Sequence, residues 1–249
     1  MKSMRRTFAI GDIHGEISHL ERLLDRLPTL HSDDTLVFLG DYLDRGLESK
    51  RVIERVSTLH QHVPAKVVPL LGNHEEAWLR SLKHPEPGFL LRPENGCFQT
   101  LRALTDCASA SEMEQAAMLL QPTKWFPTWI HDWMDSLPLY YEDEHAIYVH
   151  AGLDGEGETW LHPKDGRKRN LLWCREPDFY RGYKGKRLCF GHTLTKELPV
   201  DHLSWFGKIL DDPSDVWMRG DLIGLDTACG KNGYLSAIEL PSGRIFASR

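Results

Sequence analysis

Short apolar runs that stop abruptly at a glycine or histidine punctuate the chain: Thr7 to Ile10, Thr35 to Leu39, Lys66 to Leu71, Ala146 to Val149 and Arg187 to Phe190. Such runs are the pattern of buried strands. Between the first two, Leu20, Leu23, Leu24 and Leu27 fall at helical spacing ahead of Pro28. Val52, Ile53, Val56 and Leu59 do the same between the second and third. The opening third therefore predicts strand, helix, strand, helix, strand. That alternation makes a mostly parallel sheet, with functional groups gathered beyond the carboxyl ends of its strands. Ile223 to Leu225 predicts a further strand. Tyr234 to Leu240 and Ile245 to Ala247, separated by Pro241-Ser242-Gly243, predict a closing hairpin.

From about Lys83 to Leu137 the pattern breaks. Proline stands at 85, 87, 93, 122 and 127, a helix is predicted over Glu112 to Leu120, and tryptophans follow at 125, 129 and 133. This segment reads as a helical insertion lying over the site. The four-residue spacing of the tryptophans predicts three rings on one helix face, serving either core packing or substrate stacking. With 249 residues, 41% of them hydrophobic, the chain can bury one large core, so one domain over 1–249 with an insertion at about 83–137 is expected.

Composition narrows the classes of function. No apolar run approaches the roughly 18 to 20 residues of a membrane span, so no membrane partner is expected. The formal charge of −6 disfavours a nucleic-acid binder, whose affinity comes from a positive surface facing phosphates. Cys97, Cys107, Cys174, Cys189 and Cys229 are scattered and form no Cys-x-x-Cys pair, which predicts a reducing, cytoplasmic setting.

The chemistry sits where the strands end. Gly11-Asp12-Ile13-His14-Gly15 follows the first strand, Gly40-Asp41-Tyr42-Leu43-Asp44-Arg45-Gly46 the second and Gly72-Asn73-His74-Glu75 the third. His150 and His192 follow two later strands, in Val149-His150-Ala151-Gly152 and Phe190-Gly191-His192-Thr193. Each alone could be a capped turn or a satisfied core residue. Charged or metal-ready side chains at five buried strand ends would, however, be unfavourable unless bound cations compensated them. Mixed carboxylate, imidazole and amide-oxygen donors suit manganese, iron or zinc and suit a thiolate zinc site poorly.

Those five blocks together resemble the phosphoprotein-phosphatase branch of the calcineurin-like metallophosphoesterases. The flavour of Leu172-Trp173-Cys174-Arg175-Glu176 and Gly224-Leu225-Asp226-Thr227 is similar to bacterial members related to phage-type phosphatases and diadenosine tetraphosphatases. The likeness spans roughly residues 7 to 240. It implies an α/β fold, a four-layer α/β/β/α sandwich with the helical insertion, and two divalent metal ions, manganese foremost with iron or zinc as alternatives. By the same likeness Asp12 and His14 hold the first metal, Asp41 bridges both, and Asn73, His150 and His192 complete the second. A bridging carboxylate lets two cations sit about 3.5 to 4 Å apart and share a hydroxide nucleophile. No cysteine or serine stands in a nucleophile setting, so direct attack on phosphorus without a phosphoenzyme is expected.

His74 is then the general acid, and the likeness pairs it with Asp44, whose charge favours the protonated imidazole. A turn-capping Asp44 is the plainer alternative. Arg45 and Arg175 would clamp phosphate oxygens through their guanidinium forks, which suits dianionic end groups, with one half of a surface ion pair as the plainer alternative for Arg175. Asp44-Arg45 favours a serine/threonine protein phosphatase, because relatives that cleave diadenosine tetraphosphate typically carry Ala-Arg-Gly there. Dinucleoside polyphosphate hydrolysis stands second and a catalytically silent phosphate-binding module third. The expected partner is thus a phosphoprotein or a small phosphorylated or nucleotide substrate, with the oligomeric state open. Two departures remain. Relatives commonly read Asp-Thr-Gly where this chain has Asp226-Thr227-Ala228, and the basic loop Lys164 to Arg169 is left out of the site as a solvated charge run.

Overall fold

The structure, a computed structural model, describes residues 5–156, 159–199 and 215–249. Its first half runs β1 (Thr7–Ile10), α1 (Ile17–Arg26), β2 (Thr35–Phe38), α2 (Ser49–Thr58), β3 (Lys66–Pro69) and α3 (Asn73–Lys83). Four helices follow: α4 (Pro87–Leu90), α5 (Cys97–Leu104), α6 (Glu112–Leu119) and α7 (Thr128–Asp135). The second half holds β4 (Tyr140–Glu142), β5 (Ile147–Val149), a ribbon of β6 (Gly155–Glu156) and β7 (Thr159–Trp160), α8 (Lys168–Trp173), α9 (Pro177–Gly182) and β8 (Leu188–Phe190). It closes with β9 (Trp217–Arg219), β10 (Leu222–Gly224), β11 (Ser236–Leu240) and β12 (Arg244–Ala247).

The strands form two five-stranded sheets, ordered β12-β11-β1-β2-β3 and β4-β5-β8-β10-β9. Each has a parallel trio, β1-β2-β3 along one side of the first sheet and β5-β8-β10 in the middle of the second, and the remaining strands pair antiparallel. Mixed pairing thus replaces the mostly parallel sheet expected from the helix–strand alternation, because β11, β12, β4 and β9 arrive from hairpins and not from crossovers.

Side-chain alternation explains why the sheets stack. Ala9, Val37 and Leu39 of the first sheet point inward to meet Tyr148, Cys189 and Ile223 of the second in one buried cluster. Their neighbours Phe8, Ile10, Leu36 and Phe38 point outward beneath α1 and α2, while Val149, Leu188, Phe190 and Leu222 point outward toward Phe179 and Tyr180 of α9. The result is the four-layer α/β/β/α sandwich. β3 departs from the buried strand expected at Lys66 to Leu71: it is an edge strand, with Lys66 exposed and Pro69 where no partner strand asks for its missing N–H.

The insertion joins the helical layer over the first sheet, since Leu90, Leu101, Leu119, Ile130 and Met134 share a core cluster with α1 and α2. Its tryptophans do not share one face. Pro127 starts α7, so Trp125 lies outside the helix and packs on Trp78 at 5.7 Å, whereas Trp133 packs on Tyr42 at 5.1 Å. Trp129 is 43% exposed. No helix among the described residues is long and apolar enough to cross a membrane, and all five cysteines are buried and free.

Candidate metal and phosphate site

Five of the six parallel strands deliver a candidate residue just past the carboxyl end: Asp12 after β1, Asp41 after β2, Asn73 after β3, His150 after β5 and His192 after β8. All are buried, as are His14, Asp44 and His74. The loops bind one another through their backbones, with the amides of Ile13 and His14 both donating to the carbonyl of Asp41.

The geometry brings the six candidate ligands together. One Asp41 carboxylate oxygen lies 3.4 Å from His14 Nε2 and the other lies 3.5 Å from His150 Nε2. Asn73 Oδ1 stands 2.8 Å from both His150 Nε2 and His192 Nδ1. His14 and His150 donate their Nδ1 protons to the carbonyls of Leu43 and Leu39 at 3.0 and 2.8 Å, which leaves a lone pair on each Nε2. His150 Nε2 therefore meets Asn73 Oδ1 acceptor to acceptor, a contact that a cation between them relieves. Asp12 accepts the His192 amide at 2.9 Å through Oδ2, while its buried Oδ1 has no partner; a side chain at Gly191 would collide with that oxygen. Donor atoms close enough to share a divalent ion are Asp12, Asp41 and His150 in one group and, in another, His14 and Asp41 with His74, which lies beside the six candidates.

Electrostatics point the same way. Burial, joined by Arg45 for His14 and by His150 and Arg175 for His192, holds both imidazoles well below the usual range, and burial lowers His150 as well. Neutral imidazole is the metal-binding form. Asp41 is pushed up by burial, but His150, His74, His14 and Arg45 outweigh this and hold it well below the ordinary carboxylate range. Burial and the neighbouring Asp226 and Asp41 raise Asp12 well above that range, a bias that a bound cation reverses.

His74 and Asp44 form a tight pair, Nδ1 to Oδ2 at 2.7 Å, with His74 Nε2 facing the Asp41 carboxylate at 3.9 Å. The simple turn-capping reading of Asp44 does not describe this placement. Arg45 lays one guanidinium nitrogen against His14 Nε2 and the other 3.3 Å from His74 Nε2, inside the cluster. Arg175 stays at its rim: it donates to the His192 carbonyl at 3.1 Å, faces Glu197 at 3.8 Å and remains half exposed. A cleft of about 1050 Å³ opens beyond Arg175, walled by Trp160, Arg167, Lys168, Arg169 and Trp173. The basic loop Lys164 to Arg169 thus lends its last three residues to this cleft, with Arg167 also paired to Asp154.

The backbone here is strained. His14, Asp41, Asp44, Arg45 and His192 all have φ between 49° and 70°, and among the described residues only Ala228 and Asn232 join them outside glycine. Each such residue stores about 1–3 kcal/mol, held in place by its surroundings. Glu75 supplies much of that hold: its carboxylate accepts the amides of Asp41 at 2.9 Å, Tyr42 at 2.8 Å and Gly72 at 3.1 Å. Burial, then Asp41, pushes its carboxyl up to about 8, against the pull of those donors. Ala228 adopts φ 64°, where the usual glycine would sit free of strain.

Several contributors were not singled out from the sequence. Asp226, just past β10, is buried with Oδ2 unpartnered, and burial raises its carboxyl. The rule that found Asp12 and Asp41, a polar residue ending a buried strand, also picks it out. Thr100 and Trp78 bond to Asp44 and carry no such signal.

The chain belongs to the calcineurin-like phosphoesterases, whose family profile matches residues 5–196, and it is a hydrolase. It is 38% identical to the serine/threonine-protein phosphatase 6 catalytic subunit of Drosophila melanogaster, covering 92% of this chain and 73% of that one. To the symmetrical bis(5'-nucleosyl)-tetraphosphatase of Dechloromonas aromatica (strain RCB) it is 26% identical, covering 96% and 94%. The crystal structure of a putative diadenosine tetraphosphatase superposes with a TM-score of 0.64 at 20% identity, covering 97% of this chain and 92% of that one.

Proposed function

We propose that the chain is a metal-dependent phosphomonoesterase acting on phosphoserine and phosphothreonine in proteins. The observation that carries this reading is the buried Asp44–His74 pair at 2.7 Å, set beside the Asp41 carboxylate and within reach of Arg45. Asp12, His14, Asp41, Asn73, His150 and His192 would hold two divalent cations, manganese foremost, which lower the pKa of water and offset charge on phosphoryl oxygens. Arg45 binds the non-bridging oxygens, and Arg175 meets the substrate at the rim. His74, whose Nδ1–H donates to Asp44, would deliver a proton from Nε2 to the departing alkoxide. Serine and threonine alkoxides are basic leaving groups, for which that proton matters most.

Hydrolysis of dinucleoside polyphosphates is the second reading, and the cleft favours it. Its guanidinium groups suit additional phosphates, and Trp160 and Trp173 offer rings to a base. The deciding experiment compares kcat/KM on a phosphoserine peptide and on diadenosine tetraphosphate with manganese supplied and metal content assayed. A large ratio toward the peptide is expected. The reverse ratio selects the second reading, and no turnover of either substrate or of p-nitrophenyl phosphate with any divalent metal leaves a silent binding module.

A further inference from the structure

The insertion reaches the reacting groups through one helix. Its α5 opens at Gly96, whose carbonyl accepts the Arg45 amide at 3.3 Å and whose bare Cα lets the Arg45 backbone pass where any side chain would collide. One turn further on, Thr100 is fully buried and faces Asp44 twice. Its hydroxyl accepts the Asp44 amide at 2.9 Å and donates to Asp44 Oδ1 at 2.6 Å. Trp78 Nε1 straddles the carboxylate, 3.0 Å from Oδ1 and 3.1 Å from Oδ2, and Oδ2 takes the shorter bond from His74 Nδ1 at 2.7 Å. Asp44 and Arg45 are consecutive left-handed residues, with φ of 70° and 67°; Gly96 accepts the Arg45 amide, and Thr100 accepts the Asp44 amide more closely than Ser49 of α2 does, at 2.9 against 3.2 Å.

We propose that Thr100 is a positioning residue for the His74 acid: through its paired bonds to Asp44 it fixes the direction of the carboxylate that aims the imidazole, and so makes the insertion part of the catalytic apparatus. The assignment rests on the phosphoesterase reading above, in which His74 protonates the leaving group. A hydroxyl suits this task because it can accept from the backbone and donate to the carboxylate at once, which a methyl group of the same shape cannot. Small misplacements of an acid are felt strongly in rate.

The test uses the manganese-loaded enzyme and its Thr100→Val, Thr100→Ser and Asp44→Asn variants, alone and combined. Thr100→Val is expected to lower kcat about 10- to 100-fold on an alkyl phosphate, with far less effect on p-nitrophenyl phosphate and with KM and metal content unchanged. Thr100→Ser should restore most of the loss. In the Asp44→Asn background Thr100→Val should subtract little more, since both act through one carboxylate. Equal slowing of both substrates, failure of serine to rescue, or full additivity overturns the proposal while leaving the phosphoesterase reading intact. Wild-type protein without turnover overturns that reading and this one with it. Should valine prevent folding, Thr100→Ala is judged by the same leaving-group ratio.

Discussion

The strand-end loops and the insertion meet at Asp44 from opposite sides, and they are held by different forces. The loops carry a dense set of buried polar groups with left-handed backbones, tied by Glu75 and by carbonyl-to-amide bonds between neighbouring strand ends. The insertion is held by apolar contacts, with Leu90, Leu101, Leu119, Ile130 and Met134 all at or near zero exposure. One region is built for chemistry at some expense in backbone energy; the other supplies packing and lends the polar contacts of Gly96 and Thr100 to its neighbour. The contrast teaches that precision at the site is borrowed from a region with little chemistry of its own.

The largest effect should come from the loops. Asp41→Asn removes the charge that faces His14, His74 and His150, so metal content and turnover should fall together by orders of magnitude, read by elemental analysis and steady-state kinetics. A variant keeping full metal and full rate breaks the bridging assignment. His74→Asn should retain metal yet slow alkyl phosphates by about 10² to 10⁴, with a smaller loss on aryl phosphates. Uniform slowing removes the acid role.

Substitutions in the insertion should act on stability first. Ile130→Ala is expected to cost about 2–5 kcal/mol of unfolding free energy, lowering Tm by roughly 2–4 °C for each kcal/mol, with metal content unchanged. A loss of metal without a drop in Tm would reverse the division of labour. Trp129→Ala should be the mildest, within about 0.5 kcal/mol and with kcat/KM unaltered on every substrate. A selective loss on nucleotide substrates would restore the stacking platform.

Legibility follows the same division. Ligand candidates could be read because a polar residue ending an apolar run is conspicuous, and the parallel strands carry those ends to one place. Asp226 obeys that rule as well, since it ends the buried run Leu222 to Leu225. Thr100 lies 56 residues from Asp44, on a helix whose pattern speaks only of packing, so nothing local marks it. The tryptophan spacing misled because Pro127 resets the helix start and breaks the register that Trp125 would need.

The order of strands sets the timing of assembly. β1 lies at the centre of its sheet, yet one of its two neighbours is β11, which pairs Thr7 to Leu240. A nascent chain leaving the ribosome from its amino end must keep the open side of β1 waiting until the chain has been synthesised through Leu240. Throughout that interval an apolar strand carries an unpaired edge, the type of surface that invites self-association. Asp12, carried on that strand, can settle into its final setting only after the closing hairpin docks.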